Sequence, residues 1–242
     1  MNRPHGTLRR TLLIGALIAP WSLAAYPAPR PAVVELYTSQ GCSSCPPADA
    51  LLGELTHQPN VLALAFHVDY WDNLGWADRF ALPFATQRQQ RYGQTLKLSS
   101  VFTPQMIIDG QHSLVGSDRG AILAQLRGQR DGIAITLTRQ GDDLTVDLPQ
   151  GTTGDAQNAA QVLLLAVVPE AQTAVGRGEN GGRTLREFNI VRATSVLGNW
   201  SGGAQRFTVS RSTLPKDATE AVVLVQQAGQ RSILGAASYS WR

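Results

Sequence analysis

Cys42 and Cys45 are the whole cysteine complement of this 242-residue chain, and only Ser43 and Ser44 separate them. The pair follows an apolar run over residues 33–37 and precedes Pro46-Pro47-Ala48-Asp49-Ala50-Leu51-Leu52. That places a Cys-x-x-Cys motif at a strand-to-helix turn. The thiolate, not the thiol, attacks a disulfide or binds a metal, and a helix N-terminus favours that anion. Redox or metal chemistry is expected here, with Cys42 the more exposed, attacking sulfur and Cys45 the covered, resolving one. The bland alternative is a structural disulfide, but the chain-entropy gain for so short a loop is only roughly 2 kcal/mol.

Several other residues could serve the pair. Glu35 lies inside the first apolar run, where an unpaired carboxylate is costly to bury and its pKa would rise, making it a candidate proton acceptor for the second thiol. Its alternative is an ion pair with Arg88 or Arg91. His67 and Asp69 share one face of a strand by period-two alternation, at a strand end where reacting groups gather in open α/β sheets. A hydrogen-bonded core histidine is the alternative for His67. Cys42, Cys45 and His67 together could instead hold a soft ion such as Cu(I). Pro104, after Thr103, stands where a cis bond beside the dithiol is expected, because proline is the residue that makes such a bond inexpensive. Trp71 and Trp76 read as loop cover or as a substrate-facing rim. Gly178-Glu179-Asn180-Gly181-Gly182 contains an Asn-Gly hairpin turn, with an interdomain or ligand contact as its other reading.

Residues 30–130 alternate apolar runs with helical segments, an α/β pattern. Strands are expected at 33–37 and 61–69, joined through a helix at 46–57. A helix from about 77 to 92, strands at 105–109 and 113–115 and a helix at 121–127 follow. Residues 131–242 change to about seven alternating strands separated by turns, beginning with a hairpin around residues 140–143. A sandwich-like all-β domain with its own core of Ile133, Ile135, Leu144, Val146, Leu163, Leu165 and Val223 is expected there.

Arg9 and Arg10 precede an apolar run over residues 11–19, and small residues follow at Ser22, Ala24 and Ala25. This reads as a secretory signal peptide over residues 1–25, placing the mature protein in the periplasm or outside the cell. No stretch reaches the roughly 20 apolar residues of a membrane-spanning helix. The formal charge of +3 comes from Arg3, Arg9 and Arg10 of that leader, leaving 18 basic against 18 acidic residues. There is accordingly no electrostatic case for nucleic acid.

The run from Val34 to Asp49 through Gln40-Gly41-Cys42-Ser43-Ser44-Cys45-Pro46-Pro47, with Phe66-His67-Val68-Asp69-Tyr70-Trp71-Asp72-Asn73-Leu74-Gly75-Trp76, resembles the DUF1223 family of secreted bacterial proteins. Thr103-Pro104-Gln105 and residues 178–185 extend the resemblance over nearly the whole mature chain. It implies export, a thioredoxin-like fold in the first half and a dithiol at Cys42 and Cys45, with Pro104 beside it. It implies no cofactor. Ser43-Ser44 differs from the central pair of thioredoxins, so no redox poise carries over. Three functions follow as expectations: a thiol–disulfide oxidoreductase acting on thiols or disulfides of envelope proteins with an unidentified electron partner, a copper-handling protein, or an adaptor with an inert disulfide.

Overall fold

The computed structural model of the protein describes residues 28–152 and 159–241, and the expected leader lies outside them. In chain order the elements are β1 (Ala28–Arg30), β2 (Ala32–Thr38), α1 (Pro46–Leu55), β3 (Val61–His67), α2 (Pro83–Thr95), β4 (Gln105–Ile108), β5 (His112–Val115), α3 (Arg119–Gln125), β6 (Arg130–Gly132), β7 (Thr136–Gln140), β8 (Asp143–Leu148), β9 (Ala160–Ala174), β10 (Thr184–Trp200), β11 (Gln205–Ser210), β12 (Glu220–Gln226) and β13 (Ile233–Ser240). No helix among the described residues is long and apolar enough to cross a membrane.

In the first half, β2 and β3 run parallel with Thr38 opposite His67, and α1 connects them. Strand β4 pairs antiparallel with β2, and β5 with β4. Both faces of this sheet are covered, which is why β2 and β3 read as near-continuous apolar runs. Val34, Leu36, Ala63 and Ala65 pack on Leu51, Leu52 and Leu55 of α1 and on Ile122 of α3. On the other face Val33, Tyr37, Leu64 and Phe66 meet Ala85 and Tyr92 of α2. Helix α2 begins at Pro83 rather than near Ala77, consistent with the fixed φ of proline at a first helical turn.

The expectation of a second half packed on its own core is corrected. One eight-stranded sheet, in the order β13-β12-β9-β10-β3-β2-β4-β5, runs through both halves. Strand β10 joins β3 in parallel at Ile190 and Ala65, and the Asn189 side chain donates to the Ala63 carbonyl at 2.9 Å. Alternation then sends the two faces of β9 and β12 to different cores. Leu163, Leu165, Val222 and Leu224 join the α2-side cluster of the first half. Val162, Leu164, Val223 and Val225 meet Leu144, Val146 and Leu148 of a second, three-stranded sheet ordered β11-β8-β7. Of the seven residues expected to form one core, Leu163 and Leu165 therefore sit apart from Leu144, Val146 and Val223, while Ile133 and Ile135 are only half-buried.

Strand β10 also closes against α1. A Cβ on Gly53 would lie 2.5 Å from the Phe188 ring. Gly53→Ala should therefore destabilise the fold: helix propensity would gain about 1 kcal/mol, but overpacking costs roughly 1–3 kcal/mol. A lower melting temperature for Gly53→Ala, restored by adding Phe188→Leu, checks this contact between the halves.

Candidate functional site

Strand β2 ends at Thr38, and the chain turns through Ser39–Ser44 into α1. Cys45 is the residue before the helix, and its carbonyl accepts from the Ala48 and Asp49 N–H groups at 2.8 and 3.1 Å. Cys42 and Cys45 form a disulfide with Cα atoms 5.4 Å apart. Regular helix starts only at Pro46, so Cys42 lies outside it. Pro104, preceded by a cis bond, is buried at the start of β4. Its Cβ and that of Ala48 in the first turn of α1 both lie about 3 Å from where a Cβ on Gly116 would sit, which puts Pro104 beside that turn.

The expected exposure of Cys42 is corrected: both cysteines are fully buried, and only Ser43 and Ser44 face solvent. The β9–β10 connection, residues 175–183, lies against this turn. Asn180, itself fully buried, donates its side-chain amide to the carbonyls of Gln40 and Cys42 at 3.0 and 2.9 Å. The Glu179 carboxylate accepts from the Ser43 N–H at 3.0 Å, and hydrogen bonds from Ser43 hold that carboxyl below its usual range. The glycine-rich segment is thus both a hairpin tip and a contact between the halves. Trp76 and Trp71 act as cover. Trp76 donates to the Gln40 side chain at 2.9 Å and packs beside Gly178. Trp71 donates to Thr103 at 2.8 Å and lies against Gly41.

Behind the turn, on the α1 face, is a set of ionisable groups from four segments. His67 Nδ1 lies 2.7 Å from Asp78 Oδ2, which also accepts from the Gln40 N–H at 2.8 Å. Glu187 of β10 accepts from the Gln40 amide at 2.7 Å and from Thr173 at 3.0 Å. His67, Asp78 and Glu187 are buried, their ligand-type atoms lie within 4.8 Å of one another, and His67 Nε2 has no hydrogen-bond partner. Burial lowers the His67 pKa, but Asp78, together with Glu187 and Asp49, more than offsets this and leaves it above its ordinary value. Burial raises Asp78, yet His67 and three hydrogen bonds bring it below the usual carboxylate range. Burial pushes Glu187 up. Among the described residues, the group of this kind that comes together contains His67 but neither cysteine.

Asp49 completes the site. It stands one helical turn after Cys45, half-buried, and accepts from the Thr38 hydroxyl at 2.8 Å. Burial pushes its carboxyl up to about 7, against the opposing pull of His67 and Thr38. Glu35 does not fit the role of proton acceptor. It lies on the opposite, α2 face, where Arg88 binds it twice at 2.6 and 2.8 Å and the Tyr37 and Tyr92 hydroxyls donate at 3.0 and 2.7 Å. Pairing with Arg88, the alternative reading of Glu35, is what occurs. Asp69 turns away to Thr86 in the first turn of α2, 2.5 Å from its hydroxyl. Asp78 and Glu187 carried no motif, whereas Asn180 lies in the Asn-Gly turn that had an interdomain or ligand contact as one reading, and Gln40 and Asp49 lie in the run around the cysteines.

A family described as "Protein of unknown function (DUF1223)" matches residues 33–226. A crystal structure of a protein from Agrobacterium tumefaciens is similar over 87% of this chain and 94% of its own, with 30% sequence identity and a TM-score of 0.75. HBP35 of Porphyromonas gingivalis is similar over 90% of this chain and 76% of its own at a TM-score of 0.57; with 14% identity this is a likeness of fold alone. No curated protein matches the chain.

Proposed function

Because the chain belongs to the DUF1223 family, whose description states no activity, we propose from the site itself that it is an exported thiol–disulfide oxidoreductase working through Cys42 and Cys45. The observation that carries this reading is a disulfide closing the turn into α1, with a carboxyl of pKa about 7 one turn further on. The order β3-β2-β4-β5, the antiparallel β4 and β5, and the cis Thr103–Pro104 bond beside α1 support a thioredoxin-like reading of the first half.

In the exchange, a substrate thiolate attacks Cys42 Sγ. A substrate–Cys42 bond forms as the Cys42–Cys45 bond breaks, and Cys45 leaves as a thiolate that takes a proton. The substrate's second thiolate then attacks its own bridged sulfur and releases Cys42. Two electrons and two protons pass from the substrate dithiol to the pair, and the substrate gains a disulfide. Run in reverse, the same steps reduce a substrate disulfide. In this reading Asp49, four residues after Cys45, holds or releases the Cys45 proton near neutral pH. Envelope proteins are the proposed substrates, after removal of the leader.

The Cys45→Ala variant should accumulate mixed disulfides on Cys42 when mixed with an envelope extract under mild oxidation, while Cys42→Ala should accumulate none. Equal trapping by both variants would contradict the assignment of roles. Stoichiometric copper or zinc in the reduced protein, lost on His67→Ala, would support metal handling instead.

A further inference from the structure

We propose that the main-chain strip from Gln40 to Ser43 is a binding site for an extended polypeptide, and that the hairpin tip at residues 178–182 occupies it as an internal stand-in. This rests on the redox reading for the identity of the polypeptide as substrate, but the strip is defined by its hydrogen bonds. A turn that offers carbonyls at Gln40 and Cys42 and an N–H at Ser43 presents what the edge of a peptide chain recognises. The tip meets these three groups with side chains that imitate a backbone. The Asn180 carboxamide, chemically a primary analogue of the peptide group, donates to both carbonyls, and the Glu179 carboxylate takes the N–H.

The tip is built to leave as a unit. Its own backbone bonds close within residues 175–183: Val175 N–H to Arg183, Gly182 N–H to Val175, Gly181 N–H to Gly178 and Arg183 N–H to Asn180. None of these is lost when it lifts. Gly178 and Gly182 have φ of 74° and 81°, values that glycine adopts without a side-chain penalty. Its contacts with the first half include the hydrogen bonds of Asn180 and Glu179 to the turn and close approaches of Trp76 to Gly176 and Gly178 and of Gly75 to Gly178. The bond to Ser43 is exposed to water. With the tip seated, both sulfurs are fully buried; in this proposal the tip gives way to admit a substrate sulfur, and a polypeptide takes over the bonds it vacates.

The test uses reduced Cys45→Ala protein and two reagents that each carry an aryl mixed disulfide: a ten-residue extended peptide and a small alkyl thiol. Attack by the Cys42 thiolate forms a bond to the peptide or alkyl sulfur and releases one coloured aryl thiolate. The peptide should react at least tenfold faster than the small reagent, and N-methylation of the peptide bonds flanking its cysteine should abolish that advantage. Adding Asn180→Ala should speed the small reagent about tenfold. Glu179→Gln, at an exposed position where the fold is not at stake, should speed it by a smaller factor. Equal rates for the peptide and its N-methylated form, or a small-reagent rate unchanged by both tip substitutions, would overturn the inference while leaving Cys42 reactive. A Cys42 that reacts with neither reagent in the Asn180→Ala background would overturn the redox reading as well.

Discussion

Replacing Arg88 with methionine is expected to destabilise the protein by about 3–5 kcal/mol, because it removes the charge partner of a fully buried carboxylate. Glu35 has no exposure to water, and Arg88 bonds it through both Nε and Nη2. The guanidinium also donates to Gln226 of β12 at 3.0 Å, so the same substitution loosens a tie between α2 and the far part of the sheet. Replacing both charged partners, Glu35→Leu with Arg88→Met, should recover a large part of the loss, since an apolar pair can take the place of a buried ion pair. Denaturant unfolding of the two variants measures this. A single variant within 1 kcal/mol of the parent, on the order of an exposed ion pair, would show that Glu35 is solvated.

Asp49→Asn is expected to slow disulfide exchange roughly 100-fold near pH 7, the scale of a general acid–base contribution. With its carboxyl pushed up to about 7, Asp49 exists in both protonation states at that pH, and in the proposed exchange it gives or takes the Cys45 proton. Asparagine does neither. The variant should also change stability in a direction fixed by linkage. The folded carboxyl binds its proton more tightly than the unfolded one, whose pKa is about 3.9, so the wild-type protein loses stability as pH rises from about 4 to about 7. Asp49→Asn should remove that loss and be the more stable form at pH 8, by roughly 1–3 kcal/mol after allowance for partial exposure. Rates of reduction by dithiothreitol from pH 5 to 9, with melting curves over the same range, check both. An unchanged pH–rate profile would exclude Asp49 from proton transfer.

The Cys-x-x-Cys turn was legible in the sequence because its signals are local. A strand, a Cys-x-x-Cys and two prolines in succession fix where α1 begins, and Thr103-Pro104 marks the cis bond beside it. The partners of that turn were legible only in part, because they arrive from far along the chain: residues 178–182 carried an interdomain contact as one reading, but not the turn they meet. Asn180 and Glu187 reach it only because β10 pairs with β3, a parallel contact between residues 125 positions apart at Ile190 and Ala65. Alternation identifies the faces of a strand but not its neighbours. One cue was present. Residues 162–168 of β9 are apolar without interruption and buried on both sides, the same pattern that marked β3 as an interior strand. Glu35 kept two readings for a related reason: its carboxylate stands in an apolar run, and Arg88, one of the two cations named for it, lies 53 residues away on α2.

The reversible opening of the Cys42–Cys45 bond is the point on which the functional account turns. The most direct measurement equilibrates protein lacking residues 1–25 in glutathione buffers of graded potential, starting from both the oxidised and the reduced form, and counts alkylated thiols by mass. The redox reading predicts one two-electron transition, the same from either direction, in which Cys42 and Cys45 are lost and regained together. A disulfide that stays closed until the protein is denatured, or a dithiol that fails to close again, would contradict it and leave an inert staple.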